Sequence, residues 1–184
     1  MTLAILRIRG SCRTNMNIKY TLELLHLTRQ NHLVLVPADK VTKGMLQMIK
    51  DYVTWGEIDS ETVHKIIKVR GRIVGDKPLT DEYIKANCGY ATARELADAI
   101  AQGKANYNKL KDVKPVIRLH PPRGGYEATK RAFKAGGSLG YRGKTIGELL
   151  LKMLGPENDA KIAAKAPPVK QPAPPAGHRP TGGK

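Results

Sequence analysis

Four consecutive apolar residues, Leu33, Val34, Leu35 and Val36, run without a break into Pro37. A strand with one wet face alternates apolar and polar residues, so an unbroken run of this length reads as a strand covered on both faces. Any fold open to the chain must therefore place a layer on each side of this segment. The preceding sequence supplies part of it. Residues 3–9 alternate as another strand, with Leu3 and Ile5 on one side and Ala4, Leu6 and Ile8 on the other, and Arg7 and Arg9 lead into the polar turn Gly10-Ser11-Cys12-Arg13. Asn15 or Asn17 caps a predicted helix running to about Thr28, whose Ile18, Leu22 and Leu25 follow the 3.6-residue period. A second predicted helix, residues 41–52, turns Met45, Met48, Ile49 and Tyr52 inward, and Val53-Thr54-Trp55 forms a short third strand. The opening order is β-α-β-α-β.

Residues 58–112 read as helical. Asp59 or Ser60 starts a helix that ends at Gly71, and Thr80 starts a short one ending near Gly89. Thr92-Ala93-Arg94-Glu95 is a capping box, in which hydroxyl and carboxylate each satisfy a free N–H at the helix start. Residues 116–120 are a further strand, ended by Pro121-Pro122, and residues 138–141 are expected to return as its antiparallel partner. Thr145-Ile146-Gly147-Glu148 spells a second capping box, opening a helix with Leu149, Leu150, Met153 and Leu154 that stops at Gly155-Pro156. Residues 155–184 hold seven of the twelve prolines and are expected to be disordered. The predicted class is α+β, divided into a core over residues 1–57, an insert, basic hairpin and closing helix over 58–154, and a tail over 155–184.

Charge points to the partner. The formal net charge is +16, and it is unevenly spread. Residues 51–112 carry ten Lys/Arg against ten Asp/Glu, whereas residues 1–50 carry eight against two and residues 113–154 nine against two. Solubility alone would not need that asymmetry; a polyanion does. Between 123 and 144 the cations Arg123, Lys130, Arg131, Lys134, Arg142 and Lys144 face only Glu127, interleaved with Gly124-Gly125, Gly136-Gly137, Gly140 and Gly143 and with Tyr126, Phe133 and Tyr141. Cations meet phosphate, glycine lets the main chain approach closely, and aromatic rings stack on bases. Nucleic acid is favoured over a membrane surface. In the first third, Lys40 and Lys43 add to the basic face.

Other chemistries are poorly supported. Cys12 and Cys88 lie far apart in no metal or redox spacing, and the five histidines form no HxxxH or HExxH pattern. Neither cofactor nor metal is expected. Gly137 to Thr145 nearly spells a phosphate-binding loop, but five residues separate its glycines where the motif needs four. A nucleotide hydrolase using Lys144 and Thr145 is therefore the least favoured reading. Arg7 and Arg9 break the N-terminal apolar run too early for a signal peptide, and no stretch reaches the 18 apolar residues of a membrane span, which predicts a cytosolic protein.

The stretch Ile117-Arg118-Leu119-His120-Pro121-Pro122-Arg123-Gly124-Gly125, with Gly136-Gly137-Ser138-Leu139-Gly140 and Asn31-His32-Leu33-Val34-Leu35-Val36-Pro37, resembles the L-thirty family of large-subunit ribosomal proteins in its longer archaeal form. The opening strand and residues 51–57 match as well, so the likeness covers about residues 3–154. It implies a ferredoxin-like β-α-β-α-β core and a structural, non-catalytic role in contact with large-subunit rRNA and neighbouring ribosomal proteins, without homo-oligomers. The residues it marks are Arg7, Arg9 and Arg13, Asn31 and His32, and Arg118, His120, Arg123, Gly124, Gly125 and Tyr126. The charge pattern adds Lys40, Lys43, Lys130, Arg131, Lys134, Gly137, Tyr141, Arg142 and Lys144. A free RNA-binding regulator or chaperone is the alternative.

Overall fold

The computed structural model describes residues 1–155. The 155–184 tail thus lies outside the described residues, apart from Gly155. Strands β1 (Thr2–Arg7), β2 (His32–Pro37), β3 (Val53–Glu57), β4 (Ile117–Arg118), β5 (Ala128–Ala132) and β6 (Gly137–Tyr141) form one sheet in the order β4-β2-β1-β3-β6-β5. β1 lies antiparallel between β2 and β3, with Ile5 opposite Val34 on one side and Trp55 on the other. All six of its residues are buried.

Both faces of this sheet are covered, as the Leu33–Val36 run requires. On one side α1 (Met16–Leu24) and α2 (Lys40–Ile49) pack Leu22, Leu46 and Ile49 against Leu3, Ile5, Val34 and Val53. On the other, α3 (Ser60–Arg70), α4 (Asp81–Asn87), α5 (Ala93–Gln102) and α6 (Ile146–Leu154) enclose a larger core with Ala4, Leu6, Leu33, Leu35 and Ile117. Alternate residues of β1 thus serve different cores, because side chains of a strand point to opposite faces. The class is α+β with a ferredoxin-like core, and strands from beyond residue 112 extend the same sheet at both edges.

Several local expectations need correction. Residues 138–141 do not pair with residues 116–120. β4 is a two-residue strand antiparallel to β2, while β6 lies on the far side of the sheet, parallel to β3 with Thr54 opposite Gly140. The intervening residues have to cross the end of the sheet to reach it. Thr145 makes no capping bond to α6, since residues 143–145 already form a 3-10 turn running straight into that helix, and its hydroxyl donates to the Arg142 carbonyl. Helix α1 stops at Leu24, short of Thr28, because His26 takes a left-handed φ of 58° and sends its N–H back to the Glu23 carbonyl. In α2 the inward set is Thr42, Leu46 and Ile49, so Met48 points to solvent. The Thr92 box does form: its hydroxyl accepts from Glu95 N–H, although the Glu95 carboxylate reaches Ala91 N–H, one residue earlier than the usual pairing.

Candidate nucleic-acid interface

Strand β5 sits at one edge of the sheet and all five of its residues are exposed. Ala-Thr-Lys-Arg-Ala has almost nothing to bury, so this strand is held by backbone pairing and by the turn after it. Ala128 faces Gly137 and Ala132 faces Leu139, with register shifts between. A 3-10 turn over Phe133–Ala135 and a left-handed Gly136 bring the chain back into β6. Gly137 is buried, and a Cβ there would collide with the Arg131 backbone. Its glycine therefore lets two segments of this protein meet, and it is not an outward contact as the sequence had suggested.

Lys130, Arg131 and Lys134 are all exposed, and their side chains make no hydrogen bond or ion pair among the described residues. Arg142 differs. Its guanidinium lies 4.4 Å from the centroid of the Phe133 ring and is half-buried, and burial lowers its proton affinity against the opposing pull of Glu127. Arg142 thus braces the ribbon from inside.

The loop between β4 and β5 is fixed at three points. His120 N–H donates to the Met153 carbonyl at 3.2 Å and Arg123 N–H to the Lys152 carbonyl at 3.4 Å, so the loop covers carbonyls that the end of α6 leaves without helical partners. At its far end the Tyr126 hydroxyl donates to Asn31 Oδ1 at 2.6 Å. Burial pushes the Tyr126 phenol up to about 12, so the hydroxyl remains a donor at neutral pH. Asn31 is itself constrained, with a left-handed φ of 61°, its N–H on the Arg7 carbonyl and its carbonyl taking Leu119 N–H. Between these anchors Gly124 and Gly125 are exposed with φ of 83° and 77°, and a Cβ on either would meet open space. Their requirement is conformational: two successive left-handed residues turn the backbone outward beside Arg123.

Loop, ribbon and α6 together border a groove of about 530 Å³, with Arg123, Tyr126, Phe133, Arg142 and Lys152 along it and Glu127 and Glu148 as its acids. The Pro-Arg-Gly-Gly loop thus shares this groove with Phe133 and Ser138, whereas Lys130, Arg131 and Lys134 do not line it. Lys152 was not among the sequence candidates. Its place on the polar face of α6 offered the only signal, and that face is shared by many solvated lysines.

A second group lies at the other end of the loop. His32 and Arg118 are paired across β2 and β4. The His32 ring is buried, its Nδ1 accepting Arg29 N–H, and burial together with Arg118, Arg29 and Arg7 holds the imidazole below its usual range. It is a neutral acceptor and not an outward-facing contact. Arg118 is exposed, as is Arg29, a turn residue that the sequence patterns did not mark. Arg7 must be removed from the candidate surface: it is 2% exposed, with its guanidinium spent on the carbonyls of Arg9, Leu27 and Thr28. Arg9 is part-exposed, lying 5.1 Å from the Tyr52 ring centroid and bonded to the Asp51 carbonyl. Arg13 is exposed in a left-handed turn.

The remaining candidates are not brought into the groove. Lys40 and Lys43 are exposed on α2, across the sheet from α6. Tyr141 is exposed and its hydroxyl donates to Glu57. Lys144 lies in the 3-10 turn beside Glu57 and Asp59, with Gly143 packed so closely on Gly56 that a Cβ on Gly56 would strike the Gly143 carbonyl. Residues 137–141 are strand, so no phosphate-cradling loop precedes Lys144. Among the described residues no group of three or more His, Cys, Asp or Glu is placed to hold a metal ion, and no helix is long and apolar enough to cross a membrane.

The family model described as ribosomal protein L30p/L7e matches residues 3–53, the stretch that builds β1, α1, β2 and α2. The large ribosomal subunit protein uL30 of Thermoplasma volcanium is 49% identical over 157 residues, which is 85% of this chain and 95% of that protein. The chain belongs to the ribosomal protein L30p/L7e family. Two further relatives of the same name support the assignment. That of Methanoculleus marisnigri is 46% identical over 150 residues, covering 82% of this chain and 98% of its own length. That of Staphylothermus marinus is 48% identical over 157 residues, covering 82% and 97%. These archaeal alignments extend far beyond residues 3–53 and take in more than four fifths of the chain. L30p/L7e proteins are structural parts of the ribosome and not enzymes.

Proposed function

We propose that this chain is a constituent of the large ribosomal subunit that grips large-subunit rRNA through the groove and ribbon between Arg118 and Lys144, and that it stabilises the RNA fold during and after assembly. One observation carries the reading: Lys130 and Arg131 on the exposed edge strand and Lys134 in the turn after it have no side-chain partners among the described residues, and they follow a loop whose ends are tied down and whose two glycines would each carry a Cβ into open space. Cations held this way are preorganised for phosphate. Arginine forks onto phosphate oxygens, and glycine lets the main chain approach the sugar-phosphate chain closely.

The division of labour mirrors the fold. Residues 1–57 act as the platform, and residues 58–154 cover one face and present the basic surface. Residues 155–184, with five Lys/Arg against two acids, add charge of the same sign. Contact with this basic surface would offset repulsion between phosphates of the RNA. Neighbouring ribosomal proteins are further partners.

A filter-binding titration of the full chain against large-subunit rRNA fragments tests this. If about six phosphates are neutralised, affinity falls with salt at a log-log slope near −4, at about 0.7 per contact. A flat response would remove the electrostatic basis of the proposal. A chain found only outside ribosomes in sucrose gradients would favour a free RNA-binding regulator instead.

A further inference from the structure

The groove beside α6 carries groups that a phosphate chain alone does not call for. Glu148 and Lys152 both border it, one helical turn apart on the same side of α6. Glutamate and lysine at this spacing commonly pair, yet these two are exposed and form no ion pair among the described residues. An ionised carboxylate accepts hydrogen bonds and cannot donate, so Glu148 opposes phosphate and needs donors from a partner. Glu127, the other acid, lies close enough to Arg142 to favour its charge. The groove also holds a stack. Arg142 lies over the Phe133 ring at 4.4 Å and both residues border the space. Its Nη2 donates to the Ser138 carbonyl at 3.4 Å, which helps to keep the guanidinium over the ring. Tyr126, whose hydroxyl is tied to Asn31, is a further fixed ring in the lining. At about 530 Å³ the space falls within the range of clefts that enclose small organic ligands.

We propose that this groove receives one unpaired guanine base of the bound RNA, its ring on the stack of Phe133 and Arg142 and its Watson–Crick edge on Glu148 and Lys152. Bases splayed out of an RNA strand are held in this manner, stacked on aromatic or guanidinium planes and hydrogen-bonded along an edge. The order of groups selects the base. Along that edge guanine offers the O6 acceptor, then N1–H, then the N2 amino group, so a lysine ammonium meets the first and a carboxylate takes the two donors together. Adenine, cytosine and uracil present no two neighbouring donor groups there. Each would leave a Glu148 oxygen without a donor, and a site built around such bonds rejects the ligand that lacks them. Arg123 borders the same groove and is exposed, free to take a phosphate beside the base. Phosphate contacts hold the RNA without reading it, whereas this base contact sets which nucleotide lies against α6.

The guanine site rests on the chain binding rRNA as proposed above, and one set of titrations keeps the two apart. The full chain is titrated by fluorescence anisotropy with short uridine-rich RNAs that carry one central guanine, adenine, cytosine or inosine, the last lacking only the N2 amino group. The guanine strand should bind about tenfold more tightly than the other three, within the range of a bidentate base contact. Glu148→Gln should abolish that preference. A merely repulsive Glu148 behaves differently, since its removal would strengthen every strand alike and leave the ratios unchanged. Phe133→Leu should weaken the guanine strand about tenfold through lost stacking. The inosine comparison needs no change in the protein, so it stands whatever a variant does to folding. Equal affinity for guanine and inosine, a preference untouched by Glu148→Gln, or no binding to any strand overturns the guanine site. Steep salt dependence with large-subunit rRNA fragments then leaves the proposed function standing, and a flat dependence there removes both.

Discussion

The Tyr126 hydroxyl donates to Asn31 Oδ1 at 2.6 Å across 95 residues of sequence. Asn31 in turn links β1 to β4 through its own N–H and carbonyl, so this bond ties the Pro-Arg-Gly-Gly loop to the centre of the sheet. A loop rich in glycine and cation would otherwise have to lose its conformational freedom at the moment of binding, and the anchor removes part of that cost beforehand.

Tyr126→Phe should therefore cost about 1–3 kcal/mol of folding stability, because the half-buried Asn31 oxygen is left without its donor. Urea unfolding measures it. Asn31→Gly keeps the left-handed backbone while deleting the acceptor and should cost less than Asn31→Ala, which must also hold a Cβ at φ 61°.

Reversing charge on the ribbon separates binding from folding. Arg123→Glu with Lys130→Glu should weaken rRNA binding and incorporation into the large subunit, while stability changes by no more than about 0.5 kcal/mol, as expected at exposed sites. A matching loss of melting temperature would make these residues structural.

His32 gives the fold a pH dependence of definite sign. Its folded-state imidazole is held below the usual value, first by burial and then by three arginines, so between the folded value and about 6.5 the unfolded chain binds the extra proton. The stabilisation is complete above about pH 6.5 and is lost as pH falls toward the depressed folded value. His32→Asn, which can still accept Arg29 N–H, should flatten that part of a stability-versus-pH curve measured by denaturant.

Gly137→Ala should detach the ribbon from the body. The new Cβ collides with backbone at Arg131, and relieving such overpacking costs about 1–3 kcal/mol. Hydrogen exchange would show protection lost in β5 and β6 and kept in β1, β2 and α3.

Legibility in the sequence depended on range. β1, β2 and the helices between 16 and 102 announce themselves through period and caps, which are local signals, and the Thr92 box and Gly71 end came out where the residues placed them. The β6 partner did not. Thr54 meets Gly140 only because Gly56 admits the Gly143 backbone, a contact between residues nearly ninety apart that no periodicity encodes. Arg7 is hidden for a related reason. The family resemblance marks it at the exit of the first strand, but the Leu27 and Thr28 carbonyls that accept from its guanidinium lie beyond the end of α1, after left-handed His26, twenty residues away in sequence. In the candidate site, the cations and glycines were visible as composition, whereas the meeting of Arg123 and Arg142 with Lys152 beside α6 depended on the loop folding back onto that helix.

The most direct test is the salt dependence of association between the intact chain and large-subunit rRNA, run in parallel for the parent and for Arg123→Glu with Lys130→Glu. The account predicts a steep log-log slope near −4 for the parent and one shallower by about 1 to 2 for the variant, at about 0.7 per lost phosphate contact. Equal slopes for the two proteins would contradict it.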